Sequence, residues 1–318
     1  MKKPLKVPAT LVQAIRYFAD PNVCLSFLVN LRWPDGVRCP RCGSEKHSFI
    51  TTRKIWKCAG CRKQFSVKVG TIFEDSPIAL DRWLAALWMV VNSKNGISSY
   101  ELARSLGITQ KTAWFMLHRI RLATQTRSFM KMRGEVEADE SFIGGKARNR
   151  GHALKRYASP IKRHNRLAMT AVMGLLERGP KGKSRVRTKV VPNVRRASLA
   201  PEIRQNVERG SVVLTDSLQS YGGLKSDYVH EVINHAESYA RGRVHTNGLE
   251  NFWCLLKRTI RGTYVSVEPF HLFRYLDEQA WRFNMRTMTD SGRFMETLGQ
   301  IVGRRLTYSE LTGADATA

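Results

Sequence analysis

No stretch of eighteen consecutive apolar residues occurs in this 318-residue chain, so a membrane-spanning helix is not expected. The basic opening Met1-Lys2-Lys3-Pro4 is not followed by an apolar signal core, and a cytoplasmic protein is the expectation. Acidic residues are scarce: 26 Asp and Glu stand against 53 Lys and Arg, a net charge of +27. An excess of that size calls for a polyanionic partner, with nucleic acid first and salt-sensitive binding its signature. An anionic membrane surface ranks well behind, because no basic amphipathic stretch with an apolar face stands alone. Cysteine is sparse too. Four of the six fall in two close pairs while Cys24 and Cys254 are solitary, which favours metal ligation over a disulfide framework. No internal repeat is present. What is abundant enough is apolar surface, 42% of residues, as in a globular chain with room for more than one domain.

The chain reads as multidomain α+β. Residues 1–35 form a helical lead, with helices around Thr10–Phe18 and Val23–Leu31. Cys39-Pro-Arg-Cys42 and Cys58-Ala-Gly-Cys61, separated by 15 residues, fit the four-cysteine zinc template, so 36–72 is read as a zinc ribbon. Four protein thiolates leave no open position, which makes one structural Zn2+ the expectation. The alternation in Gln64–Gly70 predicts a further strand. Arg38, Arg41, Lys54, Lys57, Arg62 and Lys63 make the ribbon a candidate DNA contact.

Residues 76–128 read as a helical, helix-turn-helix-like module. Ser76-Pro77 predicts a helix start, and Ser98 with Glu101 predicts a capping box. The turn Gly107-Ile-Thr109 then leads to a second helix whose expected outward residues are Gln110, Lys111, His118 and Arg119, with Trp114, Leu117 and Ile120 inward. From Gly134 strands take over, at Glu135–Ile143, Ala168–Leu176, Arg185–Val191 and Ser211–Thr215, with a helix near Ala200–Val207. Helices near Asn247–Ile260 and Pro269–Arg286 close the 134–290 domain, and 291–318 is expected to be a tail.

Within 134–290, Asp139 and Asp216 each end a strand, while Glu250 and Lys257 lie on one stripe of an amphipathic helix with Asn247, Cys254 and Arg261. Three carboxylates can hold Mg2+ or Mn2+ for an in-line phosphoryl displacement. Between Ser141 and Arg196 there are sixteen Lys or Arg and one acid, Glu177. Lys181, Lys183, Arg185, Arg187 and Lys189 take every second position of this basic insertion (146–190), which reads either as a basic strand face for a phosphate backbone or as a basic loop. His235, Glu237 and His245 receive no catalytic role.

Two stretches carry a family resemblance: Glu137-Ala-Asp-Glu-Ser-Phe-Ile-Gly-Gly-Lys146 and His245-Thr-Asn-Gly-Leu-Glu-Asn-Phe-Trp-Cys-Leu-Leu-Lys-Arg-Thr-Ile-Arg-Gly-Thr-Tyr264. From about Phe27 to Thr287 the chain resembles bacterial insertion-sequence transposases with an N-terminal zinc ribbon and an RNase H-like DDE catalytic domain. The likeness implies a mixed α/β catalytic fold with Asp139, Asp216 and Glu250 as the Mg2+ ligands, and Lys257 as the lysine seven residues past the last acid. It also implies double-stranded DNA, both terminal repeats and target, as partner, and a homodimer or higher oligomer. Asn247 stays open as a rival third ligand because some members of the group use asparagine there; Glu137 and Glu140 are weaker rivals to Asp139. A non-catalytic zinc-ribbon regulator and a metal nuclease without strand transfer are the alternative functions.

Overall fold

The computed structural model describes residues 7–125, 130–144, 169–180, 182–233 and 244–313. The chain divides into two compact bodies, one of residues 1–124 with 288–318, the other of residues 125–287. Most of the basic insertion, with Lys181, His235, Glu237 and the last five residues, lies outside the described residues. Among the described residues no helix is long and apolar enough to cross a membrane.

The first body begins with α1 (Leu11–Tyr17) and α2 (Pro21–Arg32), capped by Thr10 and Asp20. A small antiparallel sheet follows: β1 (His47–Ile50), β2 (Ile55–Cys58) and β3 (Gln64–Phe65). The expected strand over Gln64–Gly70 stops at Phe65. Beyond it Lys68 turns its ammonium onto the carbonyls of Ser76 and Ile78, at 3.0 and 2.6 Å, and this pulls the chain into turns. That strut also displaces the expected helix start. The next helix, α3 (Leu80–Asn92), opens at Ala79, and the Ser76 hydroxyl instead accepts from the Trp83 indole at 3.0 Å.

Then come α4 (Ser99–Leu106) and α5 (Gln110–Thr124). Ser98 caps α4, and Gly107 ends it in the left-handed region (φ 61°), where a Cβ would be strained. The described part of the expected C-terminal tail, residues 291–313, carries secondary structure. It forms α9 (Asp290–Gly299) and α10 (Tyr308–Thr312), so named because three further helices of the second body intervene in chain order. Phe294 is fully buried, with its ring 5.0 Å from Trp88 and 5.9 Å from Phe18.

The second body is built on a five-stranded sheet: β4 (Glu135–Ile143), β5 (Thr170–Glu177), β6 (Arg185–Val191), β7 (Val212–Asp216) and β8 (Val229–Ile233). Their order is β6-β5-β4-β7-β8, antiparallel from β6 to β4 and parallel from β4 to β8. Alternating side chains feed two apolar layers. Val136, Ala138, Met173 and Leu175 pack with α6 (Arg196–Asn206) on one face. Val172 and Leu176 pack with α7 (Asn247–Thr259) and α8 (Leu272–Asn284) on the other. It is a mixed sheet with helices on both faces, as the α/β expectation required. β8, not anticipated from sequence, is a short edge strand with three of five residues exposed.

Candidate functional site

In the ribbon, the sulfurs of Cys39 and Cys61 lie 3.7 Å apart and those of Cys42 and Cys58 3.6 Å apart. All four lie within 4.8 Å of one another. Four thiolates about 2.3 Å from a tetrahedral zinc ion stand roughly 3.8 Å apart, so the donor set fits structural zinc in both chemistry and spacing. The backbone N–H of Cys61 is the largest influence drawing the Cys58 thiol down to about 6.

The helical module departs from expectation at His118 and Arg119. His118 is fully buried and Arg119 is 4% exposed, so neither faces outward. The Arg119 guanidinium donates to the carbonyls of Leu306 (3.1 Å), Ile72 (3.1 Å) and Glu74 (2.6 Å), and so ties α5 to two distant loops of its own body. Trp114 is only half-buried, unlike Leu117 and Ile120. The outward part of α5 is its first turn: Lys111 is exposed over the Tyr308 ring, and half-buried Gln110 donates to Ser99.

The basic row on β6 is partly spent on its own body. Arg185 pairs with Glu177 at 2.6 Å and Lys189 with Glu202 at 2.6 Å. The half-buried Arg187 donates to Asn206 and to the Met130 carbonyl. Lys183 is exposed and precedes the strand.

On β4, alternation places Glu135, Glu137 and Asp139 on the face covered by α7. Glu137, 1% exposed, is held between two donors, Arg178 Nε at 2.8 Å and the Leu249 N–H in the first turn of α7 at 2.9 Å. A carboxylate suits that helix end. Gly248 is needed there, since a Cβ would stand 2.8 Å from the Glu137 carboxylate. Arg178 also donates to Glu135 at 3.1 Å and to the His245 carbonyl at 2.8 Å.

Asp139 has a different neighbourhood. Its Oδ2 accepts from the Trp253 indole at 2.9 Å. Burial, reinforced by the charges of Asp216 and Glu250, lifts its carboxyl to about 6. Asp216 ends β7, the parallel neighbour of β4, and accepts from the Leu218 N–H at 3.0 Å. Glu140 points to the opposite face of β4 and takes the Tyr221 hydroxyl at 2.8 Å. Burial, with Asp216 and Asp139 adding, lifts it to about 7. Asn247 and Glu250 are both exposed on α7, and Lys257 is half-buried two turns on. The helix widens into a π turn over Ile260–Tyr264, so α-helical spacing does not fix the side of Arg261. Among the described residues only the four cysteines bring three or more His, Cys, Asp or Glu ligand atoms within 4.8 Å. Trp253, Tyr221 and Arg178 are the site neighbours that sequence reasoning did not single out.

This arrangement coincides with two family matches. Residues 131–284 match the ISXO2-like transposase domain and residues 20–64 a transposase zinc-ribbon domain. A transposase-like protein of Haemophilus influenzae is 41% identical over 103 residues, 32% of this chain and 83% of the relative. The chain belongs to the ISXO2-like transposase family. A protein in the transposable element ISH50 of Halobacterium salinarum is 25% identical over 255 residues, 77% of this chain and 84% of the relative. The five-stranded sheet and α7 lie inside the matched transposase domain, and both cysteine pairs lie inside the matched ribbon.

Proposed function

We propose that this insertion-sequence transposase binds the terminal repeats of its element and catalyses metal-dependent DNA cleavage and strand transfer. The observation that supports the reading is that Asp139, Asp216 and Glu250 lie on adjoining elements, although their ligand atoms do not fall within 4.8 Å of one another. Their elements are β4, its parallel neighbour β7 and the helix that covers β4, and the Asp139 carboxyl feels the charge of both other acids. Carboxylates, as oxygen donors that repel one another, suit Mg2+ or Mn2+. When bound, such ions activate an attacking oxygen and stabilise the leaving one. The chain's own part is to hold the carboxylates on rigid elements, to present Lys257 to the phosphates, and to bind DNA through the ribbon, Gln110, Lys111 and Lys183. Arg185, Arg187 and Arg261 are further phosphate candidates; the first would exchange its partner Glu177 for a phosphate. Handling two element ends together favours a homodimer or larger assembly.

The test is strand transfer in Mg2+ with element-end DNA carrying a pre-exposed 3′ hydroxyl. Wild type should join. Loss in Glu250→Gln with retention in Asn247→Ala assigns Glu250 as third ligand, and the reverse pattern assigns Asn247. Tight DNA binding with neither cleavage nor joining would refute the reading in favour of a regulator; cleavage without joining would leave a nuclease.

A further inference from the structure

We infer that Trp253 is a positioning residue of the phosphoryl-transfer site. It orients the Asp139 carboxylate and fastens the helix of Glu250 to the strand of Asp139. The inference rests on the assignment of Asp139 as a metal ligand made above.

Three features carry it. The Trp253 indole N–H donates to Asp139 Oδ2 at 2.9 Å, and its ring is 4% exposed, packed in the layer between sheet and helices. A carboxylate turns broadly about its last torsion, which is an sp3–sp2 bond with shallow wells. A neutral donor on one oxygen stops that rotation and commits the other to face elsewhere, without adding a cation that would compete with a metal.

The second feature is the room made for the ring. Gly174 on β5 is the cross-strand partner of Asp139. A Cβ there would lie 2.6 Å from Trp253 Cζ2 and 2.9 Å from Leu249 Cδ2. Contacts that short force the indole to move, so glycine is what lets it reach the acid.

The third feature is register. Glu137, two residues before Asp139 on β4, holds the N–H of Leu249, four residues before Trp253 on α7. Two strand residues span about 6.6 Å and four helical residues about 6 Å. The two bonds therefore pin strand and helix at matched intervals, and Glu250 lies between the pins.

The test uses full-length, zinc-loaded protein without DNA and reads Mn2+ binding by electron paramagnetic resonance. Wild type, Trp253→Phe, Gly174→Ala and Asp139→Asn are compared. Trp253→Phe keeps an aromatic ring and removes the donor. It should weaken Mn2+ binding by about 10- to 100-fold, the usual cost of losing a partner that orients a metal ligand. Gly174→Ala should shift binding in the same direction by displacing the indole. In a cleavage assay the Trp253→Phe defect should be recovered by raising Mg2+, a response that loss of packing alone would not give. Wild-type Mn2+ affinity in Trp253→Phe, with binding lost in Asp139→Asn, would overturn the inference. Unchanged binding in Asp139→Asn would instead overturn the ligand assignment beneath it. Should Trp253→Phe melt below the assay temperature, Gly174→Ala decides by the same criteria.

Discussion

Replacing Asp139 by asparagine should make the metal-free protein more stable while abolishing its chemistry. The carboxyl is held at about 6 against an ordinary 3.8, with burial the main cause and the charges of Asp216 and Glu250 adding to it. At pH 7.5 the folded protein therefore carries that charge at a cost of about 3 kcal/mol relative to the unfolded chain. Asparagine removes the charge and still offers Trp253 an amide oxygen. The sign follows from proton linkage. Below about pH 4 both states of the wild type hold the proton, and the two proteins should be equally stable. Between about pH 4 and 6 only the folded wild type keeps it, so its stability falls by up to about 1.4 kcal/mol per pH unit as pH rises. Above that range the gap is constant. Calorimetry without added divalent cation should show the transition of residues 125–287 raised by roughly 6–12 °C in Asp139→Asn at pH 7.5. At pH 4 the two transitions should coincide. Added Mn2+ should close the gap at pH 7.5 by stabilising wild type alone. Equal melting at pH 7.5, or the same offset at both pH values, would refute the reasoning, because the offset would then have nothing to do with a carboxylate charge.

Arg119→Met should destabilise the first body by roughly 2–4 kcal/mol in urea unfolding, because three carbonyls lose a buried donor. The folded variant should keep the wild-type salt dependence of DNA binding. Lys111→Ala should do the opposite, leaving stability within about 0.5 kcal/mol and lowering the log–log salt slope by about 1; a slope change in Arg119→Met alone would instead put Arg119 against DNA. Chelating zinc should open all four ribbon cysteines to a thiol reagent and weaken DNA binding, with the calorimetric transition of residues 125–287 unmoved.

Where one physical rule dominates, the sequence was readable. The bounds of β4 and β6 coincide with the alternation that marks them, and the four cysteines converge as their spacing requires. Errors arose where a distant partner overrode a local signal. Ser76-Pro77 has the form of a helix start, but the Lys68 ammonium takes the carbonyls around it. β8 is short and largely exposed, so it offers little periodicity to detect. The helix Asp290–Gly299 leaves a trace, a Thr289 cap with Phe294 and Leu298 four apart, but so short a pattern at the head of the expected 291–318 tail is easily passed over. His118 and Arg119 failed for a related reason. A polar residue on a helix is read as outward, and nothing local reveals a carbonyl partner 187 residues away.

The same limit shaped the reading of the acids, where it matters more. Glu135, Glu137 and Asp139 are equivalent by spacing, and periodicity can place them on one face but cannot say what each will meet. The fold separates them. Glu135 and Glu137 share Arg178, and Glu137 also terminates a helix, so both have structural work. Glu177 and Glu202 likewise hold cations of β6. Asp139 receives only neutral donors, and among the described residues no lysine, arginine or histidine pairs with it or with Asp216. A buried acid that serves architecture acquires a cation when the chain folds, because an uncompensated charge is costly. Two acids with which no described cation pairs, on neighbouring strands and in each other's field, have room for positive charge. That supports Asp139 over its rival Glu137 in the proposed site. Glu140 is less sharply separated, since its partner Tyr221 is neutral as well, and its place on the opposite face of β4 is what sets it apart.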